Sequence, residues 1–471
     1  MTQYPENILA KRYASLPMVT LWSEVPAVLA ERLIWTEALA VQEELGVATP
    51  EGAVAAYRAA LHADVDLEKI AKREEVLQHD VAARQAEFNE LAKSELAHRS
   101  FTSRDLTENR EQACILHSLN HVRNRCYAVL DRFRRRALEW QFLDVCGRSH
   151  GQPGQGTTYG KRMASLADEL IDGLKHLDDV IASYRFRGFK GAMGTQQDLI
   201  TLLGSQELAL EFERILCERL GFTPYFESVG QVYPRSQDFA VMSTLFQLTG
   251  AFGNFSRLVR DNARLRHLIE GFSEGRKGSS AMPHKQNPSK SERIKGLKNE
   301  LQGSLNRAAT LVGEQEFEGD VSCSVPRRVM WPDAFFAMDG IIETTLTVLD
   351  QMELFPAIIE AELNEELPFL STTAIRAALR NTGIDDTAAY EIIQTASKAA
   401  STDIRSGLPN TLLQRLSNDD RVPLELTELR AICVPNHGAA VNQVERVVRR
   451  INEILKDVPT EMIEYTPTTR N

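Results

Sequence analysis

The stretch DFAVMSTLFQLTGAFGNFSRLVRDNARLRH, residues 238–267, contains no proline, and its apolar residues recur every three or four positions. This spacing predicts one long amphipathic helix. Similar spacing occurs in residues 165–184, 208–220, 292–312 and 441–455, whereas alternating strand patterns are nearly absent. The sequence therefore predicts an all-α fold in which several long helices form a central bundle.

Polar breaks divide the helical patterns into three regions. At 471 residues the chain is longer than one compact domain usually is, so two or three domains are expected. The segment HRSFTSRDLTEN (98–109) precedes a new helical pattern, and the last central pattern fades near Pro356. We therefore predict an N-terminal helical domain over 1–107, a central long-helix bundle over 108–357 and a C-terminal helical domain over 358–471.

Composition limits the classes of partner. The net charge of -11 argues against nucleic acid, and an anionic small substrate would need a local cluster of Arg and Lys. No apolar run approaches the ~20 residues that cross a bilayer, and the N-terminus lacks the apolar core of a signal peptide. The six cysteines are scattered without a CxxC motif, which predicts reduced thiols and a cytoplasmic location.

The segment GSSAMPHKQNP, residues 278–288, interrupts the central helices and is too polar for a core. Pro288 suits the first turn of a helix with Asn287 as its cap, and residues 289–292 (SKSE) also match a capping box. Either start predicts free N–H groups at a helix N-terminus beside Lys285, a combination that can hold an anion under a closing loop. The alternative is an ordinary surface hinge before a capped helix.

A second polar stretch, GRSHGQPGQGTTYGKR at residues 147–162, places His150 among glycines. An isolated loop histidine is more often a hydrogen-bonded surface residue, so His150 alone predicts no activity. His117 and His121 are four residues apart in a helical pattern, but no third ligand has suitable spacing, and no metal site is predicted. The sequence lacks the glycine-rich phosphate motifs of nucleotide cofactors, so it predicts no cofactor.

Together these stretches resemble the fumarase/aspartase superfamily and, within it, the adenylosuccinate lyases. The resemblance runs from Arg12 to about Arg328 and weakens in the last third of the chain. It rests on KRYAS (11–15), LQHD (77–80), TSRDLTEN (102–109), GRSHGQPGQGTTYGKR, KGAMGT (190–195), SVGQVYPRS (228–236), GSSAMPHKQNP and SVPRR (324–328). It implies three all-α domains and a homotetramer whose central helices form one bundle, with each active site built from three chains.

The resemblance also implies a reaction, a β-elimination in purine nucleotide biosynthesis. Fumarate would leave adenylosuccinate, giving AMP, and the succinyl-carboxamide ribotide SAICAR, giving the carboxamide ribotide AICAR. By the same match, Ser279 is the base, His150 is the acid, and Glu292 of a neighbouring chain orients that histidine. Lys285 and Asn287 match groups that hold the fumarate-forming carboxylates. A serine hydroxyl is a poor base that needs activation, and the available aids are Lys285, the loop N–H groups and the helix dipole.

The remaining substrate contacts are implied by the same match. They are Arg12, Tyr13, Arg293, Ser324 and Arg328 for the nucleotide and phosphate, His79 and Asp80 with the preceding Gln78 as a further binding group, and Thr102, Ser103 and Gln231 for the succinyl part. One position departs from the pattern: some members carry an arginine where this chain has Gly319. One phosphate or ribose contact is therefore in doubt, and another cation would have to replace it.

Two alternatives stay open. Argininosuccinate lyases usually carry Gln in place of His284, whereas carboxymuconate cycloisomerases share the histidine. The KRYAS, LQHD and SVPRR stretches favour a nucleotide substrate over both. The second alternative is a catalytically inactive helical tetramer, which the loss of Ser279 or His150 would mark; both residues are present.

Overall fold

The computed structural model describes residues 7–271, 282 and 284–468. The first helices are α1 (Ile8–Arg12), α2 (Leu16–Leu21), α3 (Glu24–Glu44), α4 (Ala53–Ala60), α5 (Leu67–Leu77) and α6 (Asp80–Ala92). The middle of the chain forms α7 (Ser103–Glu139), α8 (Tyr159–Ser183), α9 (Gln197–Leu203), α10 (Gln206–Leu220), α11 (Ser236–Arg264), α12 (Ser289–Ala309) and α13 (Ser324–Gln351).

The last part of the described chain is helical as well. Its helices are α14 (Pro356–Leu370), α15 (Thr372–Asn381), α16 (Asp386–Arg405), α17 (Leu412–Ser417), α18 (Leu426–Ile432), α19 (Ala440–Leu455) and α20 (Thr460–Ile463). Two short antiparallel pairs complete the described structure, namely β1 (Asp144–Ser149) with β2 (Gln152–Thr158) and β3 (Leu268–Ile269) with β4 (Glu353–Leu354).

The predicted bundle of long central helices is confirmed. The stretch that predicted a long helix forms α11, which buries the stripe Val241, Leu245, Leu248, Phe252, Phe255 and Val259. Helix α11 packs against α8 and α12, α13 packs against α12 and α7, and α7 packs against α8. The five long helices thus close a ring, and their buried side chains belong to one hydrophobic core.

The segment 144–158 differs from the predicted polar break because it folds as the β1–β2 hairpin. His150 and Gly151 form its turn with φ angles of 52° and 76°, the left-handed backbone that favours a two-residue hairpin turn. A Cβ at Gly147 would lie 2.4 Å from the Gln155 carbonyl oxygen, so the close strand pairing requires glycine there. Because of these glycines, the segment lacks the alternation of apolar and polar residues by which a strand is recognised in a sequence.

The C-terminal region contains a hydrophobic core of its own. Buried side chains of α15 to α18, such as Ile375, Ile392 and Leu412, form this smaller core. Helix α19 returns to the main core through Val444 and Ile451. The division at residues 107 and 357 stays a prediction. No helix in the described ranges is long and apolar enough to span a membrane.

Candidate active site

Five of the predicted residues come together where α6, α7 and α13 begin; we call them the α7-start cluster: His79, Asp80, Ser103, Ser324 and Arg328. The His79 ring caps α6, since its Nδ1 accepts the Ala82 N–H at 3.2 Å, and its Nε2 lies 3.3 Å from Ser103 Oγ. Arg328 Nη2 donates to Asp80 Oδ2 at 3.3 Å.

The pKa of the Asp80 carboxyl is lowered at this cluster. Burial would raise it, but Arg84, the Val81 N–H and Arg328 outweigh that effect. The Arg328 side chain is 70% exposed, so its guanidinium can also meet a ligand. A cavity of about 480 Å³ opens beside these groups and includes Asp80, Ser324 and Arg328 in its lining.

Three other predicted residues flank the cluster. Thr102 precedes α7, and its N–H donates to the Asp105 carboxylate at 2.9 Å. Gln78 ends α5, and its side-chain amide donates to the Glu75 carbonyl at 2.7 Å. The backbone N–H of Gln231 donates to the Glu318 carbonyl at 2.6 Å, which holds residues 228–236 against the loop that precedes α13.

The backbone conformation of this loop explains the departure at Gly319. This glycine has a φ of 131°, a conformation that L side chains rarely adopt. A Cβ at Gly319 would also lie 3.2 Å from Cγ2 of Val232. An arginine at this position would be strained in its backbone and crowded by its neighbour, so the loop in this conformation favours glycine.

A buried network of ion pairs lies next to the α7-start cluster and holds it in place. Glu108 of α7 accepts Arg235 Nη2 at 2.9 Å and lies 3.4 Å from Arg327 Nη1. Burial alone would raise the pKa of the Glu108 carboxyl, yet the surrounding guanidinium groups, Arg235 above all, lower it to about 2. Arg327 also donates to Asp238 of α11 at 2.8 Å, so the starts of α7, α11 and α13 are tied together.

Sequence reasoning missed this network and also missed Asp105. The Asp105 carboxylate accepts the N–H groups of Lys190 and Gly191 at 3.0 and 3.1 Å and pairs with the buried Arg187. All these charges lie inside or beside the stretches TSRDLTEN, KGAMGT, SVGQVYPRS and SVPRR. Charged residues at predicted helix starts were therefore a usable signal.

A second group of predicted residues lies at the start of α12. Arg293 places its guanidinium carbon 5.5 Å from the ring centre of Tyr13. Lys285, Asn287 and Glu292 are exposed in the same segment of the chain, and Arg12 is exposed at the end of α1. We call Lys285, Asn287, Glu292 and Arg293 the α12-start group.

The caps predicted for α12 are wrong. Asn287 makes no cap, and the helix start has no local side-chain cap among the described residues. Glu270 takes that role, because its carboxylate accepts the Lys290 N–H at 2.8 Å and the Ser291 N–H at 3.0 Å. These two N–H groups were predicted to be free for an anion, and a buried carboxylate from the preceding segment occupies them instead.

The α7-start cluster is far from Tyr13 in one chain. Tyr13 lies against Gly340, where a Cβ would be 2.9 Å from its own Cβ. Gly340 follows Ser324 by sixteen residues on α13, a distance of about 24 Å along the helix axis.

His150 is farther still. It lies exposed at the tip of the β1–β2 hairpin, which follows the C-terminal end of α7, whereas Ser103 is the first residue of that helix. Helix α7 has 37 residues and is about 55 Å long. One chain therefore does not bring His150 and the α7-start cluster together. Ser279 lies outside the described residues, and its role stays a prediction.

The C-terminal region clamps the hairpin that carries His150. Arg148 Nη2 donates to Glu362 Oε1 of α14 at 2.6 Å. His437 Nδ1 lies 2.7 Å from Asp144 Oδ1 at the start of β1. Cys146 is buried against Leu363, Leu367 and Leu370. The last third of the chain, in which the sequence showed no motif, thus holds both ends of β1.

Comparison with known proteins identifies the family of the chain. A family model described as lyase matches residues 64–303. The chain is 30% identical over 448 residues to the adenylosuccinate lyase of Schistosoma mansoni, covering 93% of each chain. It is 28% identical over 457 residues to the adenylosuccinate lyase of Saccharomyces cerevisiae, covering 95% of each.

A solved structure shares the fold. The crystal structure of 3-carboxy-cis,cis-muconate lactonizing enzyme from Pseudomonas putida matches with a TM-score of 0.82 at 18% identity, over 95% of this chain and 99% of that chain. At this identity the likeness concerns the fold alone. Because the family model covers half of the chain and a relative at 30% identity covers nearly all of it, the chain belongs to the lyase family that includes the adenylosuccinate lyases.

Proposed function

We propose that the protein acts as an adenylosuccinate lyase, releasing fumarate from adenylosuccinate to give AMP and from SAICAR to give AICAR. The near full-length match to adenylosuccinate lyases supports this proposal. The observation that carries it in the structure is the α7-start cluster. Residues from three separate motifs, 79–80, 103 and 324–328, gather there, and Asp80, Ser324 and Arg328 line a cavity of about 480 Å³, which is large enough for part of a nucleotide.

The reaction assigns a task to each group. A base takes the proton from the carbon beside a carboxylate, the electrons form the carbon–carbon double bond of fumarate, and the carbon–nitrogen bond breaks. We assign the base to Ser279 and the proton returned to the departing nitrogen to His150, oriented by Glu292. Lys285 and Asn287 would hold the fumarate-forming carboxylates, because charge develops there in the transition state. This chemistry needs no cofactor or metal.

We further propose a homotetramer with shared active sites. A site that uses His150 and the α7-start cluster needs at least two chains, because about 55 Å of helix α7 separates these residues in one chain. The resemblance implies three chains in each site, and we place Ser279 and the α12-start group on a chain other than the one that supplies His150. The proposed location is the cytoplasm, which suits six cysteines that are all free thiols.

The first prediction concerns activity. Purified protein is expected to release fumarate from adenylosuccinate and from SAICAR in the presence of a chelator, measured by the absorbance change of the purine or by fumarate assay. Argininosuccinate and a carboxymuconate substrate serve as controls and should give no product. Activity that a chelator abolishes and a divalent metal restores would contradict the metal-free mechanism. Release of fumarate from argininosuccinate alone would assign the protein to that alternative.

The second prediction concerns the hairpin clamp. Glu362→Gln removes the charge that pairs with Arg148, two residues before His150, and should lower kcat about 5- to 10-fold, the scale of one net hydrogen bond of about 1 kcal/mol. KM should stay unchanged, because the proposed substrate contacts lie elsewhere.

The control for the clamp is Glu360→Gln. Glu360 is exposed on the same helix and has no ion pair among the described residues. If the two variants have equal turnover, the Arg148–Glu362 pair does not position His150.

A further inference from the structure

We infer that Arg104 binds the phosphate group of the nucleotide and supplies the cation that Gly319 cannot. This inference rests on the proposed function and adds a residue to its substrate site. Arg104 lies directly after Ser103 and lines the same cavity as Ser324 and Arg328. Its side chain is 15% exposed, so the guanidinium is held in place but still reaches the cavity.

Two hydrogen bonds orient this guanidinium. Nη1 donates to Glu108 Oε1 at 2.9 Å, and Nη2 donates to Ser324 Oγ at 2.8 Å. A guanidinium has five N–H donors, so these two bonds leave others for a ligand. The serine hydroxyl accepts from Arg104 and therefore keeps its own O–H to donate to a ligand oxygen.

Ser324 and Arg328 complete the anion site. They are four residues apart on α13 and so lie on the same face of the helix. Ser324 is the first residue of this helix, whose N-terminal end favours negative charge, and the first turn contains no acidic residue. Two guanidinium groups and a hydroxyl at a helix N-terminus form a set of donors that suits a phosphate.

Among the three guanidinium groups that surround Glu108, the positive charge of Arg104 is the least neutralised by carboxylates. Glu108 already accepts Arg235 at 2.9 Å, while Arg327 has its own carboxylate partners in Asp238 and Glu111 at 2.8 and 2.6 Å. Arg235 and Arg327 are each only 3% exposed. Arg104 shares Glu108 with a buried partner and is the more exposed of the two, so its positive charge remains available to a ligand.

Arg104 also lies near the loop that contains Gly319. Hydrogen bonds from Ser322 lower the pKa of the Asp320 carboxyl, and the positive charge of Arg104 adds to this effect. The guanidinium therefore acts on the residue next to Gly319. An arginine on α7 can thus serve the region that a side chain at position 319 would have served.

Binding of AMP and adenosine, measured by calorimetry, tests the inference. Arg104→Ala should weaken AMP binding about 10-fold or more, the loss expected for a hydrogen-bonded charge, and should leave adenosine binding unchanged. The affinity of Arg104→Lys for AMP should lie between those of Arg104→Ala and the unmodified protein, because lysine keeps the charge but lacks the planar guanidinium. Arg123→Ala, on the same helix but remote from the cavity, is the matched control and should bind AMP like the unmodified protein.

The outcomes separate this inference from the proposed function. Equal weakening of AMP and adenosine would mean that Arg104 acts only through the fold, and unchanged AMP binding would mean that it does not contact the phosphate; either result overturns the inference. Absence of fumarate release by the unmodified protein overturns the proposed function, while the difference between AMP and adenosine still decides the role of Arg104. Melting temperatures of the variants show whether each one is folded.

Discussion

His150→Ala and Ser279→Ala are each expected to reduce turnover at least ~100-fold, the usual scale for the loss of a general acid or base. His150 sits at the tip of a hairpin with its side chain exposed, so its removal leaves no cavity in the core. The loss should therefore appear in kcat with little change in melting temperature. Steady-state kinetics on adenylosuccinate and SAICAR, with thermal melting as the fold control, measures both quantities.

The predictions for the two variants can be contradicted separately, and each contradiction has its own meaning. If Ser279→Ala keeps near-normal turnover, the base lies elsewhere, and His79 is the next candidate because it belongs to the α7-start cluster beside Ser103. If His150→Ala keeps turnover, another group protonates the departing nitrogen. Loss of folding in His150→Ala would contradict the exposed position of this side chain.

The second large effect is recovery of activity from two inactive proteins. Equal amounts of His150→Ala and Ser279→Ala chains, unfolded and refolded together, should regain about a quarter of the normal activity, since a whole site takes an intact residue from each of two chains at random. Each variant refolded alone should remain inactive. Mass spectrometry of the intact assembly confirms that mixed oligomers have formed.

A second pair of variants also tests whether the active site is shared between chains, and both of its residues lie in the described part of the chain. His150 and Arg328 lie at opposite ends of the long helices, so His150→Ala and Arg328→Ala chains should also complement each other. Zero recovery in confirmed mixed oligomers would show that both residues of a pair act within one chain. For the second pair that result would contradict the separation of about 55 Å along α7.

The sequence by itself determined the long helices, because helical periodicity is a local property. The stripe of apolar residues in 238–267 predicted α11, and the structure buries the same residues. Motif resemblance likewise picked out residues on two separate helices that do meet beside one cavity, namely Asp80 on α6 and Ser324 and Arg328 on α13. The sequence also indicated that Gly319 departs from the family pattern, and its φ of 131° explains why glycine is favoured at this position.

The tertiary structure alone decided the contacts between residues far apart in the chain. The cap of α12 depends on Glu270, which lies twenty residues before the N–H group that it accepts. A capping-box pattern covers only four residues and could not indicate that a distant carboxylate would occupy this N–H group. The Arg104–Ser324 bond joins residues 220 positions apart, and the Arg148–Glu362 pair joins residues 214 apart. Sequence periodicity and capping patterns report neighbours within a few residues, whereas these pairs exist only because the packed helices set their distances.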